Sequence, residues 1–362
     1  MLIKVLKSEI EEALKVASRA VSTRTTLPIL TGVNLETDGD KLKIRATDLE
    51  ISVEVSIPVS VEEDGVVVVP AKPFYDLLRK LDEGIIYLKA DLDGTELNVE
   101  AENKKYKFRT LPPGDFPQGW AVPEGKRIML KGEYFIDVVK KTSKSASRDE
   151  SRVNLTGIHI ESGKDSITVA ATDSYRLSVV TVPCSHADEG IEVLVPTRGL
   201  EEVAKIVDEE ENVEVVATEK QIFILQNNWI FASKLIEGQF PAYKQLFPEK
   251  CDIEVTVKRD EIVNAVDRIA SIFKISAVTL EIAADEMKIS GVSSDYGEAE
   301  ERISVKSTGN IKMTFNQQYL LDGLRSINSE LIRMELQEGL NPAVIRPLDG
   351  EEFSYLLMPI KS

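Results

Sequence analysis

An internal repeat about 125 residues long constrains this chain more than anything else, since that period is too long for a solenoid and suits whole domains. Thr47-Asp48, in KIRATDLEISVEV, returns 125 residues later as Thr172-Asp173, in TVAATDSYRLSVV. A weaker third copy, KISGVSSDYGEAEERISV, puts Ser294-Asp295 at the same point. VVVVPAKPFYDLLRKL around Pro70 matches VLVPTRGLEEVAKIV around Pro196, and KMTFNQQYLLDGLRSI around Phe315 matches both. Leu111, Gly114, Phe116 and Pro117 recur as Leu235, Gly238, Phe240 and Pro241. With 362 residues the chain has room for such an array. The reading is three tandem homologous domains, 1–120, 121–250 and 251–362, with boundaries in the turn-rich stretches 112–125 and 238–250.

Each copy opens with an amphipathic helix. In the first, Ser8 and Glu11 match a capping box, and Ile10, Ala13, Leu14, Ala17 and Val21 make one apolar stripe. Tyr134, Phe135, Val138 and Val139 serve the second copy, and Ile262, Val263, Val266 and Ile269 the third. A second helix per copy follows Pro70, Pro196 and Phe315, with Leu77, Leu78 and Leu81 as its first example. Alternating runs such as Leu42, Ile44, Ala46 and Leu97, Val99 predict half-buried antiparallel strands. The fold class is therefore α+β, with two helices on one side of each sheet.

The net charge of −17 opposes attraction to nucleic acid, because duplex DNA carries about one negative charge per 1.7 Å. The basic residues are placed unevenly, however. Lys15 and Arg19 share a helix face, and Lys141, Lys144 and Arg148 follow at spacings of three and four beside Lys140. Lys72, Arg79, Lys80, Arg198 and Lys205 fall on the predicted second helices, while Arg259, Arg268, Lys274 and Arg325 serve the third copy. Acids gather in Glu62-Glu63-Asp64, 208–211 and 298–301. Singly, each lysine reads as a solvated residue; jointly they predict a protein acidic outside and basic along one helical surface.

Enzyme signatures do not emerge. The two cysteines, Cys184 and Cys251, read as reduced thiols, and His159 and His186 lie at no metal-ligand spacing, so no cofactor or metal is expected. Gly119 and Gly125-Lys126 fail the phosphate-loop spacing, and Arg127 replaces its Ser/Thr. The run 208–211 could hold magnesium in a nuclease, but adjacent acids more often form a solvated surface. The Thr-Asp pairs are expected to stabilise turns through local side-chain hydrogen bonds. The N-terminus reads as neither a signal nor a transit peptide, and no apolar run is long enough to cross a bilayer, so a cytoplasmic protein without membrane contact is expected. Two readings stay open at this point: a metal-dependent nuclease, and a multidomain scaffold that binds partner peptides.

Several motifs in order resemble the bacterial DNA polymerase III beta subunit family, the sliding clamps, over essentially the whole chain. They are Thr26-Leu27-Pro28-Ile29-Leu30, Thr47-Asp48-Leu49-Glu50, Thr110-Leu111-Pro112 with Asp115-Phe116-Pro117, Thr172-Asp173-Ser174-Tyr175-Arg176-Leu177, Phe240-Pro241 with Tyr243, and Met358-Pro359. The resemblance implies the clamp fold, with helices lining a lumen, sheets outside, and a head-to-tail dimer closed into a ring. It implies a non-catalytic tether for the polymerase III alpha subunit, loaded by a clamp loader and shared with other polymerases and repair proteins that carry clamp-binding peptides. Arg24, Lys141, Arg148, Arg152 and Arg198 are the implied contacts to double-stranded DNA, which they would position without reading sequence. Such contacts are weak, with a Kd of roughly 10⁻⁴ to 10⁻⁶ M, and a topological tether needs no more.

By the same resemblance Lys105, Tyr106 and Phe108 meet Ile272, Phe273, Glu298, Glu300 and Glu301 at the dimer interface, basic against acidic. The implied peptide cleft takes Leu155, Thr172, Tyr175, Arg176, Leu177, Pro241 and Leu246, with Asn316, Tyr319, Val344, Met358, Pro359 and Ile360. Its apolar walls and few polar groups suit a leucine and an aromatic residue. Tyr175 replaces a common histidine and Gln245 an occasional arginine, which implies an altered peptide preference.

Overall fold

The computed structural model describes residues 1–22, 24–91, 94–118 and 121–361. Gly119, invoked for the phosphate loop, and Trp120, in the first boundary stretch, lie outside the described residues, as does Ser362. The described helices are α1 (Lys7–Ala17), α2 (Ala71–Leu78), α3 (Gly132–Thr142), α4 (Thr197–Val203), α5 (Arg259–Phe273) and α6 (Gln317–Arg325). The chain forms two compact units, 1–133 with 198–235, and 134–197 with 236–362. These units cut across the repeat because two long sheets pair strands from successive copies.

In the first unit a five-stranded sheet runs Ser60–Glu63, Leu2–Leu6, Ile85–Ala90, Glu96–Ala101, Lys104–Arg109. A second sheet runs Lys126–Lys131, Asn212–Ala217, Gln221–Gln226, Trp229–Lys234, Ile51–Pro58, Lys41–Thr47, Gly32–Asp38, Val66–Pro70. Its join between copies is the antiparallel pair in which Ile51 faces Ser233 and Val55 faces Trp229. Alternation does what the sequence predicts: Leu42, Ile44, Ala46, Leu97 and Val99 are fully buried. Helix α1 lays Ile10, Ala13, Leu14 and Ala17 onto the strands Lys41–Thr47 and Ile51–Pro58 and against α2, whose Phe74 and Leu78 are also fully buried.

The second unit repeats this plan. One sheet runs Glu192–Pro196, Gly157–Ser162, Ser166–Thr172, Arg176–Pro183, Phe353–Leu357, Ala343–Pro347, Leu331–Leu336, Ile253–Lys258, Lys306–Ser307. Here the join is the pair in which Arg176 faces Leu357 and Val180 faces Phe353. The other sheet runs Gly297–Ser304, Glu286–Ser293, Ala277–Ala283, Ile311–Asn316, with α5 packed on its first two strands and on α6. Gly323 lies in α6 because a Cβ there would enter the Tyr355 ring.

Two local expectations fail for identifiable reasons. Ser8 lies inside α1, and its side chain caps nothing, because the helix starts straight from the strand Leu2–Leu6, with Lys7 N–H bonded to Gly84 O at 2.9 Å. Helix α3 does not continue to Arg148: it ends at Thr142, followed by a 3-10 turn over Ser143–Ser145. The Thr142 hydroxyl bonds back to Val138 O at 2.6 Å and so competes with the helix for that carbonyl, and Ser145 bonds the Ser178 hydroxyl at 2.7 Å.

Candidate functional site

The repeated Thr-Asp pairs build one corner twice. Thr47 Oγ1 donates to Ile51 O at 2.9 Å and accepts Leu49 N–H, while Asp48 Oδ1 accepts the N–H groups of Glu50 and Ile51. Thr172 and Asp173 do the same for Arg176 O and for the N–H groups of Ser174, Tyr175 and Arg176. Leu49 and Ser174 both take positive φ, 77° and 79°. The turn expectation therefore holds for both pairs. In the weaker copy Ser294 and Asp295 are exposed, and among the described residues they bond only each other, at 3.4 Å.

The second corner opens on a cavity of about 670 Å³, lined by Lys144, Arg148, Arg152, Asp173, Tyr175, Arg176, Gln318, Tyr319, Asp322 and Arg325, among others. Arg176 organises it. Its guanidinium donates to Asp173 at 3.0 Å and Asp322 at 2.6 Å and lies 4.1 Å over the Tyr319 ring. Burial opposes that charge, but Tyr355 and the two carboxylates outweigh it and hold the guanidinium above its ordinary range. Tyr355 is itself buried, which pushes its hydroxyl well above the usual phenol range, and it donates to Tyr319 O at 2.7 Å. Tyr175 is 57% exposed and stacks on Tyr319 with centroids 6.4 Å apart. Asn316 caps α6 by accepting Tyr319 N–H.

Beside this cavity lies an apolar floor of Ala170, Leu177, Tyr243 and Leu356, with Phe240, Phe247 and Met358 packed on it. The segment joining the second and third copies is fixed by its aromatics. Phe240 stacks on His159 at 4.9 Å, and Arg346 lies over Phe247. Burial and Glu161 push the Tyr243 hydroxyl up to about 12. Met358 N–H bonds Tyr175 O and Ile360 N–H bonds Thr314 O, so the C-terminal segment closes another side.

Of the residues predicted for the cleft, Thr172, Tyr175, Arg176, Leu177, Asn316, Tyr319, Met358 and Ile360 are joined by the contacts above. Leu155 and Val344 are buried, Pro241 and Pro359 half-buried, and Leu246 is 48% exposed. Asp322 and Tyr355 were not anticipated, while Lys144 and Arg325, expected on the basic helical surface, line this cavity. An acid between the buried Leu320, Leu321 and Leu324 of α6 was the available signal for Asp322, since a charge on an apolar stripe needs a partner.

Of the predicted DNA contacts, Arg24 and Arg148 are exposed, and Arg152 donates to Ser174 Oγ and Asp173 O at the cavity rim. Arg198 is 57% exposed on its side chain and lies 2.8 Å from Asp48. Lys141 is a correction. Its side chain is only 4% exposed and its ammonium bridges Asp137 and Glu351, so it offers no charge to a ligand. Elsewhere Arg268 pairs with Glu301 and Arg325 with Asp267, so several basic faces are partly neutralised within the chain.

The acid run 208–211 is exposed: its backbone carbonyls Glu211 O and Glu209 O accept the N–H groups of Gly132 and Glu133 at the start of α3, and of its carboxylates Asp208 Oδ1 accepts Glu210 N–H. Burial raises both thiols, Cys184 and Cys251, which disfavours the thiolate. Lys105 and Tyr106 are exposed on the strand Lys104–Arg109, and Phe108 packs edge-on against Phe74 at 5.6 Å. Ile272 is 64% exposed and Phe273 half-buried; Glu298 and Glu300 are exposed on the strand Gly297–Ser304, and Glu301 there is half-buried.

The family models of the DNA polymerase III beta subunit match in three parts: the N-terminal domain over residues 1–120, the central domain over 129–242 and the C-terminal domain over 244–361. The chain is 31% identical to the beta sliding clamp of Synechocystis sp., covering 98% of each. It is 27% identical to that of Staphylococcus aureus, covering 95% of each. Among solved structures, a DNA polymerase sliding clamp from Bacillus subtilis aligns with a TM-score of 0.96 at 26% identity, covering 100% of this chain and 99% of that one. A sliding clamp from Pseudomonas aeruginosa bound to griselimycin aligns at 0.93 and 26%, covering 100% of each.

Proposed function

The chain belongs to the DNA polymerase III beta subunit family, the beta sliding clamps, and from that premise we propose that two protomers close head to tail into a ring around duplex DNA. Its function is that of a DNA sliding clamp, a processivity factor of DNA polymerase III.

One observation carries the ring. In each copy a three-strand meander ends on a strand, Ile51–Pro58, Arg176–Pro183 or Gly297–Ser304, and the first two pair with the last strand of the following copy. Among the described residues Gly297–Ser304 has no such partner and ends its sheet, as does Lys104–Arg109, the last strand of the first copy. Two unpaired edges that complete a pattern twice satisfied within the chain are complementary between two chains. The edge Lys104–Arg109 carries Lys104, Lys105 and Lys107 and the edge Gly297–Ser304 carries Glu298, Glu300 and Glu301, so the two edges are basic against acidic.

The three domains are 1–120, 121–250 and 251–362, and the helical faces line the hole. Arg24, Arg148, Arg152 and Arg198, joined by Lys144 and Arg325 from the cavity rim, meet phosphates there. All of these side chains but the half-buried Arg152 are largely exposed, which suits sliding, and the topology supplies retention. The apolar floor beside Arg176, with Tyr175, Tyr319, Met358, Leu246 and Pro241 around it, receives a leucine and an aromatic residue of partner peptides. Those partners are the polymerase III alpha subunit, the clamp loader and other polymerases and repair proteins. The protein does this in the cytoplasm and without chemistry of its own.

Mixing two single variants tests the ring. Lys105→Cys protomers and Glu301→Cys protomers, mixed and oxidised, are expected to yield covalent dimers, and neither alone should. Crosslinking of Lys105→Cys with itself at the same yield would contradict a head-to-tail contact.

A further inference from the structure

The two in-chain joins differ beneath the first helix of each copy. In the second unit Lys141 of α3 stretches over the Phe353 ring, 5.9 Å from its centroid, and its ammonium bridges Asp137 and Glu351. The 125-residue offset sets Val16 of α1 where Lys141 stands, and Glu12 where Asp137 stands. The strand registers extend the match: Trp229 faces Val55 as Phe353 faces Val180. Ser56 N–H bonds Asn228 O, and Thr181 N–H bonds Glu352 O, both at 2.9 Å, so Asn227 stands for Glu351.

The space that a lysine side chain fills in one unit is a cavity of about 320 Å³ in the other, lined by Glu12, Val16, Trp229, Asn227, Val55 and Ile57, among others. Trp229, 6% exposed, supplies the aromatic wall. Among the described residues Glu9 and Glu12, both lining the cavity, have no ion-pair partner within 4.0 Å. We propose that this cavity binds a linear alkylammonium ion, a small free amine of the polyamine class. Its methylene stem lies along Trp229, Val55 and Ile57, and its ammonium sits at Glu12, as the Lys141 ammonium sits at Asp137. An alkyl stem on an aromatic face with its charge on a carboxylate is the arrangement that long basic side chains adopt, and the second unit already contains it. The assignment goes beyond the clamp reading and does not depend on it.

Calorimetric titration of the full chain with n-pentylamine tests it, with 1-pentanol as the neutral isostere. The expected result is saturable one-site binding of the amine, roughly tenfold weaker in Glu12→Gln and lost in Val16→Lys, whose own lysine fills the seat. Val16→Lys should also melt above the native protein. Val16→Met is a second filling variant, uncharged; with native unfolding behaviour it should likewise lose the amine. Equal binding of 1-pentanol, undiminished amine binding in either folded Val16 variant, or no amine binding by the native chain would overturn the proposal.

Discussion

The corner at Thr47–Ser52 and the corner at Thr172–Leu177 share one backbone and present opposite chemistry. Both hold the same Thr-Asp turn, and both bond the strand of the next copy at the same point: Lys234 N–H to Glu50 O at 3.0 Å, Met358 N–H to Tyr175 O at 2.9 Å. At the first corner the presented residues are Glu50, Ser52, Arg198, Gly199 and Lys234. At the second they are Tyr175, Leu177, Gln318, Tyr319 and Met358. Arg198 lies on Asp48 and reaches toward Glu50, so charge covers the first corner. Gln318 turns instead to Asp322 at 2.9 Å, and Tyr319 takes the position of Gly199, leaving an aromatic, apolar surface beside a cavity. A Cβ at Gly199 would approach Ser233 Oγ at 3.1 Å, so a larger side chain there requires that hydroxyl to give way. A duplicated scaffold thus yields one charged, closed corner and one aromatic corner beside a cavity through a few side chains.

The largest expected contrast is in stability. Asp322→Ala leaves the buried Arg176 guanidinium short of a partner and should cost about 3 kcal/mol. Arg198→Ala removes an exposed cation from Asp48, which keeps its backbone donors, and should cost under about 1 kcal/mol. Denaturant melts of the two variants check this, and equal losses would erase the distinction between the corners.

Next in size, giving the second corner the residues of the first, as Tyr175→Glu with Met358→Lys, should weaken a peptide carrying a leucine and an aromatic residue by about 100-fold. Glu50→Gln with Lys234→Gln at the first corner should leave that affinity unchanged. Fluorescence anisotropy with a labelled peptide reads both.

The smallest effect is one of pH. The Tyr243 hydroxyl is raised from 10.0 to about 12, so its contribution is complete below pH 10 and fades as pH rises through about 12. Ultraviolet titration should show one late tyrosinate step in that window, absent from Tyr243→Phe. Phe116, the counterpart of Phe240 in the first copy, has no comparable buried phenol three residues on: Gly119 stands where Tyr243 would.

What the sequence made legible was whatever depends on neighbours along the chain. Strand alternation at Leu42, Ile44 and Ala46 and the Thr-Asp turns fall in this class, because side-chain period and local hydrogen bonds are written within a few residues. Spacing misled at Lys141, Lys144 and Arg148. Lys141 points inward to Glu351, a partner 210 residues away, and the helix ends at Thr142, before Arg148. Arg176, seen only through family likeness, owes its setting to Asp322 on α6, which no local pattern connects to it. The seat of the linker, with His159 under Phe240, has the same long-range origin.

If the join made twice within the chain is made again between chains, it closes a ring. Its most direct test uses protomers with both Lys105→Cys and Glu301→Cys, loaded by a clamp loader onto nicked circular DNA and oxidised, after which half of the DNA is cut once. The oxidised protein is expected to survive high salt on intact circles and to leave the linearised half. Salt-dependent loss at the same rate from circles and linear DNA would mean that surface charge alone holds it, and would contradict the ring.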